Sequence, residues 1–137
     1  MIQELPAIDV LALNICDTVV HEHRHPNLSM IGLFYNLFLP SFPGHLPRIS
    51  VYAAITEIRR PARLIIRIVD ANQTIIAQSD TPLLTTNVVL PLQHVTVFHQ
   101  AKVDHPGKYS VQLLADADLI TEAPLTLHLP PAPRIPK

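Results

Sequence analysis

Tryptophan is absent from this chain, cysteine occurs once, and glycine only three times in 137 residues. Each scarcity excludes something. A single thiol, Cys16, cannot build an internal disulfide framework. It sits in the apolar run Val10-Leu11-Ala12-Leu13-Asn14-Ile15-Cys16, which predicts a buried, inert side chain. Three glycines leave little backbone for a phosphate cradle, and no P-loop, dinucleotide fingerprint or G-x-S-x-G elbow is present. Aromatic residues make up 5%, too few for a platform that stacks single-stranded bases. Ten basic residues against eleven acidic ones, for a net charge of −1, do not provide the many phosphate contacts that nucleic acid demands. No run approaches the roughly 20 apolar residues of a membrane span. The run before Cys16 is too short and too badly flanked, by Glu4 and Asp9, for a secretory signal, and Ile15 is too bulky for a lipoprotein site. The sequence therefore predicts a cytoplasmic protein with no nucleic-acid or membrane partner.

What the chain has in quantity is proline, 14 residues of it, and apolar side chains, at 48% against 15% charged. That balance argues for a folded core. The prolines fall between apolar runs, so they punctuate strands and leave no room for long helices. Alternation predicts strands near 8–16, 17–22, 30–39, 47–57, 63–70, 74–79, 86–90, 94–101, 108–115 and 119–129, the last broken at Pro124. Three rows should face inward: Ile49, Val51, Ala53 and Ile55; Leu64, Ile66 and Ile68; and Tyr109, Val111, Leu113 and Ala115. Hairpin turns are expected at Asp70-Ala71-Asn72-Gln73 and at Asp116-Ala117-Asp118. Pro40-Ser41-Phe42-Pro43-Gly44-His45-Leu46-Pro47 reads as a rigid loop crossing between sheets. Residues 1–129 form one domain in this reading, and 130–137 a polyproline-type tail.

The stretch Asp104-His105-Pro106-Gly107-Lys108-Tyr109 leads into the alternating segment Ser110-Val111-Gln112-Leu113-Leu114. A turn built on Asp104 and Gly107 that delivers Tyr109 to the start of a late strand matches a tyrosine corner. The expected fold is therefore all-β, an immunoglobulin-like two-sheet sandwich of about seven to nine strands. With these segments on the page a resemblance appears. Ala12-Leu13-Asn14-Ile15-Cys16-Asp17, Ile31-Gly32-Leu33-Phe34, Pro40-Ser41-Phe42-Pro43 and Ile49-Ser50-Val51-Tyr52-Ala53-Ala54 carry it, together with Pro106-Gly107-Lys108-Tyr109 and Leu113-Leu114-Ala115-Asp116. The chain resembles a family of small bacterial proteins known only as a domain of unknown function, over about residues 9–129. That resemblance implies a cytoplasmic β-sandwich and transfers no catalytic or binding residue.

Chemistry-bearing clusters are few. His21, His23 and His25 would project to one side of an extended strand, at a spacing that lets imidazoles share a zinc ion with a position open for hydrolysis. The competing reading is a solvated hairpin loop before Pro26. Arg59, Arg60, Arg63 and Arg67 form a basic group suited to carboxylate or phosphate, or else a charged turn. The aspartates are scattered at strand ends with no calcium-loop spacing. The segment Met30–Leu39 is apolar on both faces, with Leu33, Tyr35, Leu37 and Leu39 assigned to the core and Phe34 and Phe38 pointing away. Ile65 and Val69 pose the same question, as does Val88-Val89-Leu90. Outward apolar residues on a two-layer fold require a cover. The sequence thus predicts no enzyme and no cofactor. It predicts a protein-interaction or self-assembly module with Phe34, Phe38, Ile65 and Val69 at the interface, with a homo-oligomer or another protein as partner. The alternative is a metal-binding protein or metal-dependent hydrolase centred on the three histidines.

Overall fold

A computed structural model describes residues 5–23, 27–84 and 91–131. These residues contain no helix. Their strands are β1 (Asp9–His21), β2 (Leu28–Leu33), β3 (Asn36–Phe38), β4 (Gly44–His45), β5 (Ile49–Thr56), β6 (Ala62–Val69), β7 (Ile75–Leu83), β8 (Leu92–Phe98), β9 (Lys102–Val103), β10 (Gly107–Ala115) and β11 (Asp118–His128). A four-stranded sheet has the order β2-β1-β5-β8, and a five-stranded sheet the order β3-β11-β10-β6-β7. A short ribbon of β4 and β9 completes the fold. Every pairing is antiparallel except β3 beside β11.

The core follows from the period-two rows. Ile49, Val51, Ala53 and Ile55 of β5, with Leu64, Ile66 and Ile68 of β6, are fully buried, and Val111, Leu113, Leu125 and Leu127 join them from β10 and β11. Both sheets thus feed one apolar cluster, each large aliphatic side chain contributing about 1.5–3 kcal/mol by leaving water. The two expected hairpins form. Asp70 closes the first by accepting the N–H groups of Asn72 and Thr74, both at 2.9 Å. Asp116 accepts the Arg63 N–H at 2.9 Å, tying the second turn to β6. The proline-rich loop does cross between the sheets, running from β3 through β4 to β5.

Two expected breaks are absent, and one segment expected to be continuous is broken. Segments 8–16 and 17–22 are one continuous strand, because β1 hands its pairing from β5 to β2 without interruption. Pro124 does not split β11: β3 covers only Thr126–His128, so the outer side of β11 has no neighbour at the proline. The segment 30–39 does split. Phe34 donates to the Ile15 carbonyl in the four-stranded sheet, and one residue later the Tyr35 carbonyl accepts from Thr126 in the other. The expected strand at 86–90, with Val88-Val89-Leu90, lies outside the described residues. So does the tail beyond Pro131.

At the start of β10 the Tyr109 hydroxyl donates to the His105 carbonyl oxygen at 2.7 Å, beside a tilted His105 ring. Gly107 sits between them at φ +130°, which a side chain resists. The bond reaches back to His105, and Asp104 stays exposed. Burial pushes the Tyr109 phenol up, the His105 bond opposes this, and the charges of Asp70 and Asp104 add to the rise. Tyr109→Phe keeps the buried ring but orphans the carbonyl. It should cost about 1–2 kcal/mol, read as a lower urea midpoint at unchanged slope. An unchanged midpoint would show that the bond is not structural.

Candidate functional site

The residues proposed for an interface scatter once the chain folds. Phe38 is 56% exposed, with one face stacked on His128 at 5.0 Å. Ile65 is half-buried. Phe34 packs against the core instead of pointing outward, while Leu33 and Tyr35 are exposed and not inward. The cause is the sheet switch at residues 34–35: alternation read across it inverts. Val69 is also a correction, for it is 0% exposed. It keeps the outward parity of Arg67, but a bulge opposite Val69 and the turn after it close over the position. Gln73 in that turn accepts a bond from Gln112 at 3.1 Å.

The surface on which Ile65 sits is strongly polar. Arg63 pairs with Asp80 at 2.7 Å, Arg67 donates to Gln112, and Gln112 donates to Glu122. The basic group is likewise used internally. Arg59 grips both oxygens of Asp9, at 3.1 and 2.8 Å, and Arg60 donates to the Leu5 carbonyl. That pairing holds the Asp9 carboxyl below the usual range, chiefly through the hydrogen bond. His21 and His23 are exposed at the end of β1, and His25 lies outside the described residues. Among the described residues no three His, Cys, Asp or Glu side chains converge to hold a metal. A shallow cleft of about 610 Å³ beside Phe38 is lined by Pro40, His45, Pro47, Arg48 and His99 among others, with no carboxylate.

The opposite sheet carries the feature that sequence reading missed. In the four-stranded sheet, Ile15 pairs with Val51 and Leu13 with Ala53 on the buried side. The alternate positions therefore form its outer face. From β1 these are Ala12, Asn14, Cys16, Thr18 and Val20; from β2, Ser29, Ile31 and Leu33. From β5 they are Ser50, Tyr52 and Ala54; from β8, Gln93, Val95 and Val97. None is charged. Ile31 at 52%, Leu33 at 59%, Val97 at 41% and Val20 at 41% stand exposed there.

Small residues in the middle make this face flat. Cys16, Ser50 and Ala54 are buried among their taller neighbours, and the Tyr52 hydroxyl lies along the sheet to Gln93 Oε1 at 2.9 Å. Burial pushes the Cys16 thiol up, with a smaller contribution from Asp17 and a bond to the Thr18 carbonyl opposing it, and the side chain is fully buried as expected. His94, on the inner side of β8, is pushed down by burial and bonds Thr96 Oγ1 at 3.0 Å. Charge appears only at the two ends of the outer face. Arg48, next in parity before Ser50, bonds the Thr18 hydroxyl. At the far end Asp9 pairs with Thr56. The signal was available in sequence as alternate uncharged positions on four separate strands, but their joining into one surface depends on strand order.

A family model matches residues 11–128, described as a family of unknown function, DUF6941. The chain belongs to that family. A comparison with curated proteins finds no match. Among solved structures the chain is similar to the Pseudomonas fluorescens alkylpurine DNA glycosylase AlkC bound to DNA containing an abasic site analog. The identity is 11%, the TM-score 0.50, and the match covers 90% of this chain and 31% of that one. It is also similar to a β-glucosidase from Listeria innocua, in complex with isofagomine, at 10% identity and a TM-score of 0.45. That match covers 89% of this chain and 17% of the other. The chain thus spans less than a third of either protein, and the likeness to the first concerns fold alone. No helix among the described residues is long and apolar enough to cross a membrane.

Proposed function

We propose that this chain is a non-enzymatic cytoplasmic interaction module of immunoglobulin-like sandwich design, which docks a protein partner on the outer face of β2-β1-β5-β8. Support for the architecture comes from β6, β10 and β11 as adjacent strands, β3 running parallel to β11, and the tyrosine bond at the entrance of β10. The observation that carries the function is the absence of charge across the outer face of a four-stranded sheet in which Ile31, Leu33 and Val97 stand exposed. An outer sheet face that meets water is normally polar, as the five-stranded sheet is here. An uncharged centre with charge at the margin is the composition of an interface core and rim.

A photo-reactive residue placed at Val97 should cross-link a protein in cells, and one at Lys108, on the opposite sheet, should not. Equal cross-linking from both positions, or none from Val97, would sink this reading.

A further inference from the structure

We infer that the cleft beside Phe38 is a binding site for a phosphate monoester carried on a flat apolar group, independent of the docking face. At about 610 Å³ the cleft is of the size that small-molecule sites occupy. Its walls come from three segments. The chain leaving β3 supplies Phe38 and Pro40, the stretch from β4 to β5 supplies His45, Pro47 and Arg48, and the turn after β8 supplies His99 and Gln100. Backbone bonds anchor the buried residues between them: Leu39 donates to the His128 carbonyl at 2.9 Å, and Leu46 to the Ala101 carbonyl at 2.8 Å. Ile49 and Phe98 are cross-strand partners, so Arg48 before the one and His99 after the other leave the sheet side by side.

The polar groups of these walls are unusual in this protein for having so few partners. Arg59, Arg60, Arg63 and Arg67 each bond a carboxylate, carbonyl or amide oxygen. Arg48 bonds the Thr18 hydroxyl, which uses one of its five N–H groups. His45, His99 and Gln100 bond no described residue. Lys102 pairs with His45 across the β4–β9 ribbon, which sets both side chains on one side of it. No carboxylate lines the cleft: Asp17, Glu22 and Asp104, the acids nearest along the chain to Thr18 and Lys102, are not among its walls.

An arginine fork, a lysine, two imidazoles and an amide around one cleft supply donors for an anion with several oxygens, which fits phosphate better than carboxylate. Arginine in particular matches phosphate through paired N–H bonds. The donors are side chains, so scarce glycine does not exclude the site; glycine serves cradles in which backbone amides approach the anion. Phe38, Pro40 and Pro47 add apolar surface. The Phe38 ring is oriented by stacking on His128 and stays exposed beside the donors.

Titration of the full chain with phenyl phosphate, followed by amide chemical shifts, tests the site. Saturable shifts are expected at His45, Arg48, His99 and Gln100, with a Kd of about 1 mM or tighter. Inorganic phosphate should bind more weakly, and benzyl alcohol, which has the ring without the charge, should not bind. Arg48→Gln and His99→Ala, both changes of exposed side chains, should each weaken phenyl phosphate about tenfold. Arg48→Lys, which keeps the charge and loses the fork, should fall between Arg48→Gln and wild type. Lys108→Gln, on the other sheet, should leave affinity unchanged. Absence of saturable shifts up to about 10 mM, or full affinity in both Arg48→Gln and His99→Ala, overturns the site. Benzoate binding as tightly as phenyl phosphate overturns the assignment to phosphate. The Val97 cross-link is read without added phosphate ester, so the docking reading stands or falls separately.

Discussion

Val69→Asp should unfold the protein or cost it more than about 3 kcal/mol, although the alternation of β6 marks Val69 as a surface position. The side chain is fully buried, between the Asp70–Thr74 turn and the strand that carries Ser110 and Gln112. A carboxylate there would lose its hydration, and the polar groups nearby already have partners. Gln112 bonds Arg67, Gln73 and Glu122, while Asp70 bonds Asn72 and Thr74. Phe38→Asp is the matched control. Phe38 is 56% exposed at the edge of the five-stranded sheet, and the loss of its stacking on His128 should shift stability by no more than about 1 kcal/mol. Urea denaturation of the two variants measures both. A Val69→Asp protein as stable as Phe38→Asp would show that the bulge and turn do not seal β6.

Gly44→Ala is expected to destabilise by about 1–3 kcal/mol, the range for a forced overlap in a packed region. A Cβ built on Gly44 would lie 2.6 Å from the Ser41 carbonyl oxygen, a contact that side chains do not make. The obstacle is backbone, held between Pro40 and Pro43, so no rotamer change can relieve it. The loop must move, and with it the β4–β9 pairing of Gly44 with Val103 and of His45 with Lys102. Amide exchange at Leu46, which donates to the Ala101 carbonyl at 2.8 Å, should accelerate in the variant. Full retention of both melting temperature and exchange protection would show that the loop tolerates the displacement.

Much of this fold is legible in the chain because a strand's side-chain period is two wherever the strand stays in one sheet. Ile49 to Ile55, Leu64 to Ile68 and Tyr109 to Ala115 were readable for that reason, as were the Asp70 and Asp116 turns, whose side chains bond backbone a few residues away or on the adjoining strand. The reading failed where that assumption failed. Phe34 and Tyr35 exchange places because the chain leaves β1 for β11 between them. Val69 is buried because β7 carries an extra residue opposite it. Phe38 was correctly read as outward, but from a strand taken to be continuous.

The candidate surface was the least legible part. Ala12, Asn14 and Cys16 look like core in a run of apolar residues, and Ser50, Tyr52 and Ala54 look like an ordinary solvent-facing row. Only the pairing of β1 with both β2 and β5, and of β5 with β8, sets these rows side by side. By itself the sequence determined the class of fold, the family, the main core rows, the two hairpins and the burial of Cys16, since each depends on local pattern and chain composition. Tertiary structure decided which sheet is charged and which is bare, where Arg48 and Asp9 stand on the bare one, and which outward residues stay outward. Those are properties of neighbours brought together from distant strands, and alternation along one strand does not contain them.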